Sequence, residues 1–277
     1  MQVTIGIPTY NQKANYLKAC LSSCNTQNGE TEILILDDGS TLPHIIRKIA
    51  KEYNAHYIYQ TNQGIGSARK AIAKNAKSEL IAYLSSDDCQ TPNYLESMLK
   101  YADGESILYS DYYQCNERLE VQRTFKAPRW QTQQEFRRLV LKWALESNMF
   151  TNFSTVMIPK KVFEQVQFDA DLRFGEDLVF LLETLKAGIS WQHIPEPLLY
   201  YRIHNQAGTK KGWSKRSWEN LWFKLCPVLH DLGVSDSQIN DAMCWSFRER
   251  FSWKRQVKNR IPMRIKSVVR QVKSLVV

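Results

Sequence analysis

Apolar and polar positions alternate in blocks along the first 111 residues of the chain. Short apolar runs, typical of buried strands, are followed by longer stretches with apolar residues three or four positions apart, which is typical of helices. This order predicts an α/β fold in which helices cover a mostly parallel sheet. The predicted strands are 3–7, 32–36, 55–59, 80–84 and 106–111, and the predicted helices are 14–24, 43–53, 62–76 and 92–102.

The middle of the chain has a weaker pattern, and 112–175 is the hardest stretch to interpret. Four leucines between positions 178 and 185 recur at helical spacing before Gly188, a common helix stop, so we predict a helix at 178–187. The other elements predicted here are helices at 131–147 and 160–165 and strands at 154–158 and 198–203.

The last part of the chain, residues 206–277, contains several tryptophans among Lys and Arg. Between Ile261 and Val276 apolar residues recur with a period of 3.6 and basic residues fill most of the other face, which predicts a basic amphipathic helix. We expect a domain at 1–205 and a helical, Trp-rich basic extension at 206–277. The extension is either a cap packed on the sheet domain or a contact of 260–277 with an anionic membrane surface.

Charge is distributed unevenly along the 277 residues, of which 43% are hydrophobic, enough for a sizeable core. The formal net charge is +9, but residues 1–205 carry 22 basic and 23 acidic side chains, whereas 206–277 carry 15 and 5. This asymmetry favours a near-neutral domain with a basic appendage.

The sequence also indicates a cellular compartment. No apolar run reaches the ~18–20 residues that cross a bilayer, and no signal-peptide pattern precedes the first predicted strand. The six cysteines are scattered without a CxxC pair, so we expect free thiols. These features predict a cytoplasmic protein, with peripheral attachment to the inner face of the cytoplasmic membrane as an option.

Acidic pairs follow two of the predicted strands, Asp37 with Asp38 and Asp87 with Asp88. Adjacent carboxylates repel each other, and a cation bound beside them offsets that repulsion. Mn²⁺ and Mg²⁺ bind through one or two carboxylates when a substrate phosphate supplies further oxygens. Because open α/β sheets bind ligands at the carboxyl ends of their strands, the pattern predicts a site for a metal-bound diphosphate. A turn or a helix cap explains either pair taken alone.

Two helix starts carry further candidate residues. The segment 62–69 resembles half of a dinucleotide-binding motif, but Arg69 stands in the place of the third glycine, which argues against hydride transfer. One interpretation is that Arg69 and the N–H groups of this helix start bind a phosphate. The other is that the segment simply begins a helix and binds no ligand. Glu176 and Asp177 precede the leucine helix, where an acidic cap is one interpretation.

Six short motifs, in the same order, resemble those of glycosyltransferase family 2 over about residues 3–205. They are Ile7-Pro8-Thr9-Tyr10-Asn11, Asp37-Asp38-Gly39-Ser40, Asn62 to Arg69, Leu84 to Asp88, Phe168-Asp169 with Glu176-Asp177, and Tyr201-Arg202-Ile203-His204. The resemblance implies the GT-A (Rossmann-like) fold. It also implies an inverting, metal-dependent transfer of a hexosyl or N-acetylhexosaminyl group. The donor would be a nucleotide-diphosphate sugar, UDP-linked, and the acceptor a hydroxyl of a glycan or lipid-linked molecule in cell-surface polysaccharide synthesis.

The resemblance assigns a role to each matched position. Asp177 would be the catalytic base with Glu176 beside it, and Asp87 and His204 would hold Mn²⁺ or Mg²⁺. The expected nucleotide-sugar-binding residues are Pro8, Thr9, Tyr10, Asn11, Asp37, Asp38, Gly64, Arg69, Ser85, Ser86 and Asp88.

One position departs from the family pattern, because Ser85 stands where many members have Asp. We expect the change to affect donor affinity and base preference more than the reaction. Two other classes compete with an enzyme. A non-catalytic nucleotide-sugar or glycan-binding module would not need Asp177. A single-stranded nucleic-acid binder would use the basic tail but leaves the carboxylates unexplained, so we expect no nucleic-acid partner.

Overall fold

The computed structural model describes residues 2–27, 31–146, 151–205 and 214–251, which form a mixed sheet flanked by helices. The strands are β1 (Val3–Thr9), β2 (Thr31–Asp38), β3 (His56–Gln60), β4 (Leu80–Tyr83), β5 (Cys89–Gln90), β6 (Ile107–Cys115), β7 (Val121–Phe125), β8 (Met157–Pro159) and β9 (Trp191–Arg202). The helices are α1 (Ala14–Asn25), α2 (Pro43–Glu52), α3 (Ile65–Asn75), α4 (Tyr94–Leu99), α5 (Gln133–Leu145), α6 (Glu176–Lys186), α7 (Lys215–Asp231) and α8 (Asp236–Phe251). The predicted α/β class is confirmed.

The strand order is β3-β2-β1-β4-β8-β6-β9-β5, with β7 paired to β6. The amino-terminal strands β1 to β4 are parallel, as predicted. Beyond β4 the sheet is mixed, because β8 is antiparallel to β4 and β6 whereas β9 is parallel to β6. The carboxyl ends of β1 to β4 therefore share one edge, and β8 begins at that edge because Met157 pairs with Ala82 near the end of β4.

Successive residues of a strand face opposite sides of the sheet, and each side has its own hydrophobic core. On β2, Ile33 and Ile35 pack with α1 and α2, whereas Leu34 and Leu36 pack with α3 and with residues of α5, α6 and α7. Burying a side chain of this size contributes ~1.5–3 kcal/mol, so both faces hold the sheet in place.

The longest strand differs from its prediction, which began at residue 198. β9 begins at Trp191 and includes Pro195 and Pro197. Its register against β6 shifts at this point, since Ile194 pairs with Ser110 and Pro197 with the next residue of β6. An irregularity of this kind tolerates proline, which cannot donate a ladder hydrogen bond.

Short elements account for the other differences. The exposed strand β7 and the two-residue strand β5 were not predicted. The predicted helix at 160–165 is a 3-10 turn at Lys160–Glu164, and another 3-10 turn, Phe153–Thr155, occupies the start of the predicted strand at 154–158. All six cysteines are unpaired, as predicted.

The described part of the carboxyl-terminal region is helical and packs on α6. Trp218 and Trp222 of α7 are buried, and both indole N–H groups donate to Ser246 Oγ of α8, at 3.2 and 3.1 Å. Within the described residues no helix combines the length and apolar character that a bilayer crossing requires. The predicted amphipathic helix and its membrane contact at 260–277 lie outside the described residues.

Candidate functional site

The loops after β1 and β2 are joined to each other at the shared edge. Asn11 has a positive φ of 49°, its N–H donates to Ser40 Oγ at 2.8 Å, and its Oδ1 accepts from the N–H of Thr41 at 2.7 Å. Asn is one of the few residues that tolerate this backbone conformation, and its side chain bonds readily to nearby backbone. The loop places Tyr10 half-exposed, while Thr9 is buried and its Oγ1 has no hydrogen-bond partner among the described residues.

Asp37 and Asp38 end β2 and are both buried. Asp37 accepts from the N–H of Ser40 at 2.9 Å and from the Tyr57 hydroxyl at 2.8 Å. Burial raises the pKa of Tyr57, and its bond to the Asp37 carboxylate adds to the shift, so this hydroxyl stays a donor. Asp37 therefore fixes the turn at the end of its own strand.

Asp38 fixes the next loop. Its Oδ1 accepts from the N–H of Gln63 at 2.9 Å, and its Oδ2 accepts from the N–H of Gly64 at 2.8 Å. Gly64 has a φ of 98°, a conformation that favours glycine, and α3 begins at the following residue. A carboxylate bonded to backbone N–H groups at a helix start is a stabilising arrangement.

The Ser85–Asp88 segment forms a tight turn after β4, with the N–H of Asp88 donating to the Ser85 carbonyl at 3.0 Å. The Asp88 carboxylate is buried and accepts from the Arg202 N–H at 3.0 Å and from Ser154 Oγ at 2.9 Å. Burial raises the pKa of Asp88 well above its usual range, and the charge of Asp87 adds to this. Asp88 thus joins β4, β9 and the 3-10 turn before β8.

The predicted metal-binding residues Asp87 and His204 are in contact, although 117 positions separate them: Oδ2 of Asp87 lies 2.8 Å from Nε2 of His204. Arg202 holds the Asp87 backbone by donating from Nε to its carbonyl at 2.7 Å. The Tyr16 ring meets the His204 ring edge to face at 5.1 Å and also lies 4.3 Å from the Arg202 guanidinium. These contacts hold the imidazole against the carboxylate.

The residues present fit a divalent ion. The 2.8 Å separation of the Asp87 oxygen and the His204 nitrogen is about that of neighbouring ligands on an octahedral ion with ~2.1 Å bonds. One carboxylate and one imidazole suit Mn²⁺ better than Mg²⁺, which prefers oxygen ligands. No cluster of three or more His, Cys, Asp or Glu that could hold a metal occurs in the part of the chain that the structure describes. A bound ion would therefore take further ligands from phosphate or water.

Arg69 and Glu176 form a buried ion pair beneath the start of α6, with Nη1 2.5 Å from Oε1. The guanidinium also stacks on the Phe153 ring at 4.1 Å. Burial raises the pKa of Glu176 to about 7, the charge of Arg69 opposes the shift and that of Asp177 adds to it. Arg69, which we expected near a phosphate, is thus enclosed and bonded to protein.

Asp177 is half-buried in the first turn of α6, and its Oδ1 accepts from the N–H of Leu178 at 2.8 Å. Among the described residues no Lys, Arg or His forms a salt bridge with it, in contrast to Glu176. Gly175 precedes the helix with a φ of 75°. The two neighbouring acids therefore differ, since Glu176 turns into the protein and Asp177 is partly accessible.

A continuous series of contacts connects the Asp87 turn to the start of α6. Ser154 Oγ accepts from the N–H of Ser85 at 3.1 Å and lies 2.9 Å from Ser85 Oγ, Phe153 is its neighbour in sequence, and Arg69 links Phe153 to Glu176. These contacts bring the predicted metal-binding and catalytic residues to the same region.

The loop before α6 also packs on the loop after β3 and on the start of α3. A Cβ at Gly66 would lie 2.2 Å from the Asp169 carbonyl, and Arg173 Nη1 donates to Asn62 Oδ1 at 3.0 Å. Ser86 joins the first loop, because Gln12 Nε2 donates to its Oγ at 3.0 Å. The segments that carry the predicted site residues are therefore in contact with one another, and Pro8 lies within β1 beside them.

Several residues that the sequence did not single out support this site: Gln12, Tyr16, Glu117, Phe153 and Ser154. Glu117 lies in the β6–β7 turn, accepts from the Tyr16 hydroxyl, and pairs with Lys13 at 3.1 Å. Their roles depend on contacts between distant parts of the chain, so periodicity and spacing carried no signal for them.

Comparison with known sequences identifies the family. The model for "Glycosyl transferase family 2" matches residues 4–166. The chain belongs to glycosyltransferase family 2. It is 30% identical over 218 residues to the putative glycosyltransferase EpsH of Bacillus subtilis, a match covering 73% of this chain and 61% of EpsH. It is 26% identical over 238 residues to the glycosyltransferase GlyA of Streptococcus pneumoniae, covering 80% of this chain and 32% of GlyA.

Solved structures confirm the fold of this family 2 chain. S. aureus TarS 1-349, crystallised in complex with UDP-GlcNAc, aligns with a TM-score of 0.65 at 16% identity, over 99% of this chain and 88% of TarS 1-349. The complex of TarS 1-349 with UDP aligns with a TM-score of 0.61 at 15% identity, over 99% of this chain and 87% of that one. The predicted GT-A fold is therefore confirmed.

Proposed function

We propose that this protein transfers a sugar from a nucleotide-diphosphate sugar to an acceptor hydroxyl, with inversion at the anomeric carbon. The observation that carries the proposal is the contact between Asp87 and His204 at the strand edge, connected through Ser154, Phe153 and Arg69 to the start of α6. This arrangement would supply the two groups that the reaction needs: Asp87 and His204 to hold a metal-bound diphosphate, and the Asp177 carboxylate to accept a proton.

The donor nucleotide is assigned to the loops after β1, β2 and β3. Thr9 Oγ1 is a buried hydroxyl without a partner among the described residues, and Tyr10 offers a half-exposed ring beside it. Buried polar groups are rarely left unpaired, so a ligand hydroxyl or base edge at Thr9 would satisfy this one. TarS structures contain UDP-GlcNAc and UDP, which supports a UDP-linked hexosyl or N-acetylhexosaminyl donor here.

Asp87 and His204 would hold Mn²⁺, or Mg²⁺, together with the donor diphosphate. When bound, the ion neutralises the negative charge that grows on the leaving diphosphate. Arg202 keeps the Asp87 backbone in place, and Ser85 keeps the turn closed through Ser154, so the carboxylate is oriented before any ligand arrives. In this arrangement Ser85 replaces a carboxylate by a hydroxyl already bonded to protein.

Asp177 would act as the general base. An acceptor hydroxyl is a weak nucleophile near neutral pH, and a positioned carboxylate that takes its proton contributes ~10²–10⁴-fold to the rate. Asp177 is the partly accessible acid of the pair, whereas Glu176 is held by Arg69. Attack of the oxygen on the anomeric carbon, with departure of the diphosphate from the opposite side, inverts that centre.

The acceptor is proposed to be a glycan or lipid-linked molecule in the synthesis of cell-surface polysaccharide, at the cytoplasmic side of the membrane. The support is family membership together with the glycosyltransferase names of relatives such as EpsH and GlyA. A contact of 260–277 with an anionic membrane stays a prediction from the sequence. The division into 1–205 and 206–277 is part of the same proposal.

The test is sugar transfer by the full chain with a set of nucleotide sugars and Mn²⁺, followed as release of nucleoside diphosphate and as glycosylated product. Asp177→Asn should abolish transfer while Mn²⁺-dependent donor binding, measured by calorimetry, is retained. The matched control is Asp171→Asn, the same substitution at an exposed position of the preceding loop, which should leave transfer unchanged.

Two outcomes would contradict the proposal. Full turnover by Asp177→Asn would remove this residue from the role of base. Donor binding by the unmodified chain without transfer to any acceptor would favour the non-catalytic nucleotide-sugar-binding module.

A further inference from the structure

An apolar groove runs along one face of α7, on the opposite side of that helix from its contact with α6. It has a volume of about 590 Å³ and its sides include Trp218, Trp222, Cys226 and His230 of α7 and Met243 of α8. The α7 residues recur at positions 218, 222, 226 and 230, the spacing of one helix face. The groove is therefore the surface that a further helix would cover in a bundle.

Phe223 lies at the edge of this groove with 77% of its surface exposed. A large aromatic side chain beside a nearly apolar groove is costly to leave in water, since full burial of such a side chain contributes ~1.5–3 kcal/mol. Exposed apolar patches of this kind mark interaction sites.

We propose that the carboxyl-terminal segment 261–276 of this same chain packs into the groove as a third helix beside α7 and α8. The segment has the complementary pattern, with Ile261, Ile265, Val269 and Val272 along one face. Pro262 is suited to the first turn of such a helix, where its missing N–H costs nothing.

The end of α8, the length of residues 252–260 and the length of a helix over 261–276 all agree with packing of this segment in the groove. Phe247, near the end of α8, contacts Trp218 near the start of α7 with ring centroids 5.1 Å apart, so the chain leaves α8 beside one end of the groove. Residues 252–260 can span up to about 30 Å, enough to turn back. A helix over 261–276 is ~24 Å long and the groove from Trp218 to His230 is ~18 Å long, both at 1.5 Å per residue.

Acidic side chains lie along the same path. The groove borders Glu219, and Asp231 and Asp236 lie exposed at the far end of α7, at the turn into α8. They pair with Lys215, Lys186 and His230 on the protein surface, and a basic helix would add a second partner to each. A helix that begins beside Trp218 and runs parallel to α7 brings Arg264 near Glu219. It also brings Lys273 toward the two aspartates. Such pairs add little energy but select the direction of packing.

The packing has a consequence for the loop before α6. A Cβ at Gly175 would lie 2.7 Å from Leu221 of α7, and Lys224 of α7 pairs with Asp169 at 2.7 Å. A third helix that stabilises α7 thereby stabilises the loop that ends at Gly175, directly before the helical turn that carries Asp177. The inference itself concerns packing, and its test needs no sugar substrate.

The test is proximity cross-linking in the full-length chain. If Ile261 lies beside Trp218, then Val269 lies beside Cys226, because both pairs are separated by eight positions. The variant Val269→Cys is treated with a short bis-maleimide, which joins two thiols, in a background of Cys244→Ser because Cys244 is exposed. The matched control is Ser267→Cys, on the opposite face of the same predicted helix.

The expected result is a cross-link within one chain between the introduced thiol and Cys226, faster than for Ser267→Cys by on the order of tenfold or more. Adding Phe223→Asp, at a position exposed enough not to disturb folding, should reduce the yield several-fold.

Three results would overturn the inference. Equal rates for the two variants would exclude a fixed face. A product of twice the mass would assign the groove to a second copy of the chain. Absence of the cross-link combined with binding to phosphatidylglycerol vesicles, lost in Arg270→Glu, would assign the segment to the membrane surface.

Discussion

Arg69 and Glu176 lie 107 positions apart and form an ion pair in which both side chains are more than nine-tenths buried. The pair joins α3, which follows the loop after β3, to α6, whose first turn carries Asp177. Buried pairs of this kind do not always stabilise a fold, but removing one partner leaves an uncompensated charge. Glu176 therefore serves to position the neighbouring acid, and Arg69 is the group that holds it.

The first prediction concerns proton binding by Glu176. Its pKa is raised from 4.5 to about 7 in the folded protein, chiefly by burial. Between these values the folded state binds more protons than the unfolded state, so this group's stabilising contribution is complete below about pH 4.5 and is lost as the pH rises through 7. The free energy of unfolding of the unmodified chain should thus fall, relative to Glu176→Gln, by up to ~1.4 kcal/mol per pH unit.

Chemical denaturation of both chains between pH 4.5 and 7.5 measures this difference, and groups that do not interact with Glu176 cancel in it. If the free energy of unfolding of the unmodified chain instead rises with pH relative to that of Glu176→Gln, attraction to Arg69 outweighs burial and the pKa of Glu176 is lowered.

A second prediction concerns the contact of Asp87 with His204. Each should contribute one ligand to Mn²⁺ in the presence of UDP, so Asp87→Asn and His204→Gln should each weaken Mn²⁺ binding by at least the roughly 10–100-fold that loss of a residue supporting a ligand costs. Calorimetric titration of Mn²⁺ into the chain with saturating UDP measures this. Asp171→Asn, at an exposed aspartate, is the control with the same charge change. Unchanged Mn²⁺ affinity in either ligand variant would exclude that residue from the metal site.

The amino-terminal half of the fold was predictable because its elements are local. Each strand of the β1–β4 sheet is a compact apolar run, and each following helix has a regular period, so periodicity located them within a few residues. β9 was shortened in the prediction because Pro195 and Pro197 normally exclude a strand. Its irregular register against β6 permits them, and that register depends on a partner strand more than eighty residues earlier.

The site was predictable to the extent that its residues follow strands or match family motifs. Asp87 and His204 were assigned from the resemblance, and the structure brings them together. The buried position of the Arg69 side chain was not predictable, because an arginine at a helix start is also typical of a phosphate-binding site. Only the tertiary packing of Phe153 and Glu176 around its guanidinium encloses it.

A third prediction concerns the carboxylate of Asp38. It accepts from the N–H groups of both Gln63 and Gly64, so Asp38→Ala leaves two donors at the start of α3 without a partner. We expect a loss of about 2–4 kcal/mol in the free energy of unfolding, from ~1–2 kcal/mol per unpaired donor. Urea denaturation checks the loss. The control is Asp103→Ala, which removes an exposed carboxylate that also accepts from two N–H groups, and it should cost less because water replaces the bonds. Equal losses would show that burial of Asp38 is unimportant.

The last prediction uses the two glycines that flank α6. Gly175 and Gly188 have φ angles of 75° and 73°, so replacing either with alanine introduces the same backbone strain, about 1–2 kcal/mol. Their surroundings differ. A Cβ at Gly175 meets the buried side chain of Leu221 at 2.7 Å, whereas a Cβ at Gly188 has no atom within 4 Å among its neighbours. Gly175→Ala must also displace α7 or the loop before α6, at a further cost of about 1–3 kcal/mol.

Urea denaturation of the two variants should therefore show the greater destabilisation for Gly175→Ala, and the difference isolates the contact with α7. The same displacement moves the first turn of α6, so Gly175→Ala should lower the rate of sugar transfer with little effect on donor binding, while Gly188→Ala should keep the unmodified rate. Equal destabilisation by the two substitutions would mean that α7 does not brace this loop. The connection between the carboxyl-terminal helices and Asp177 would then have no structural basis.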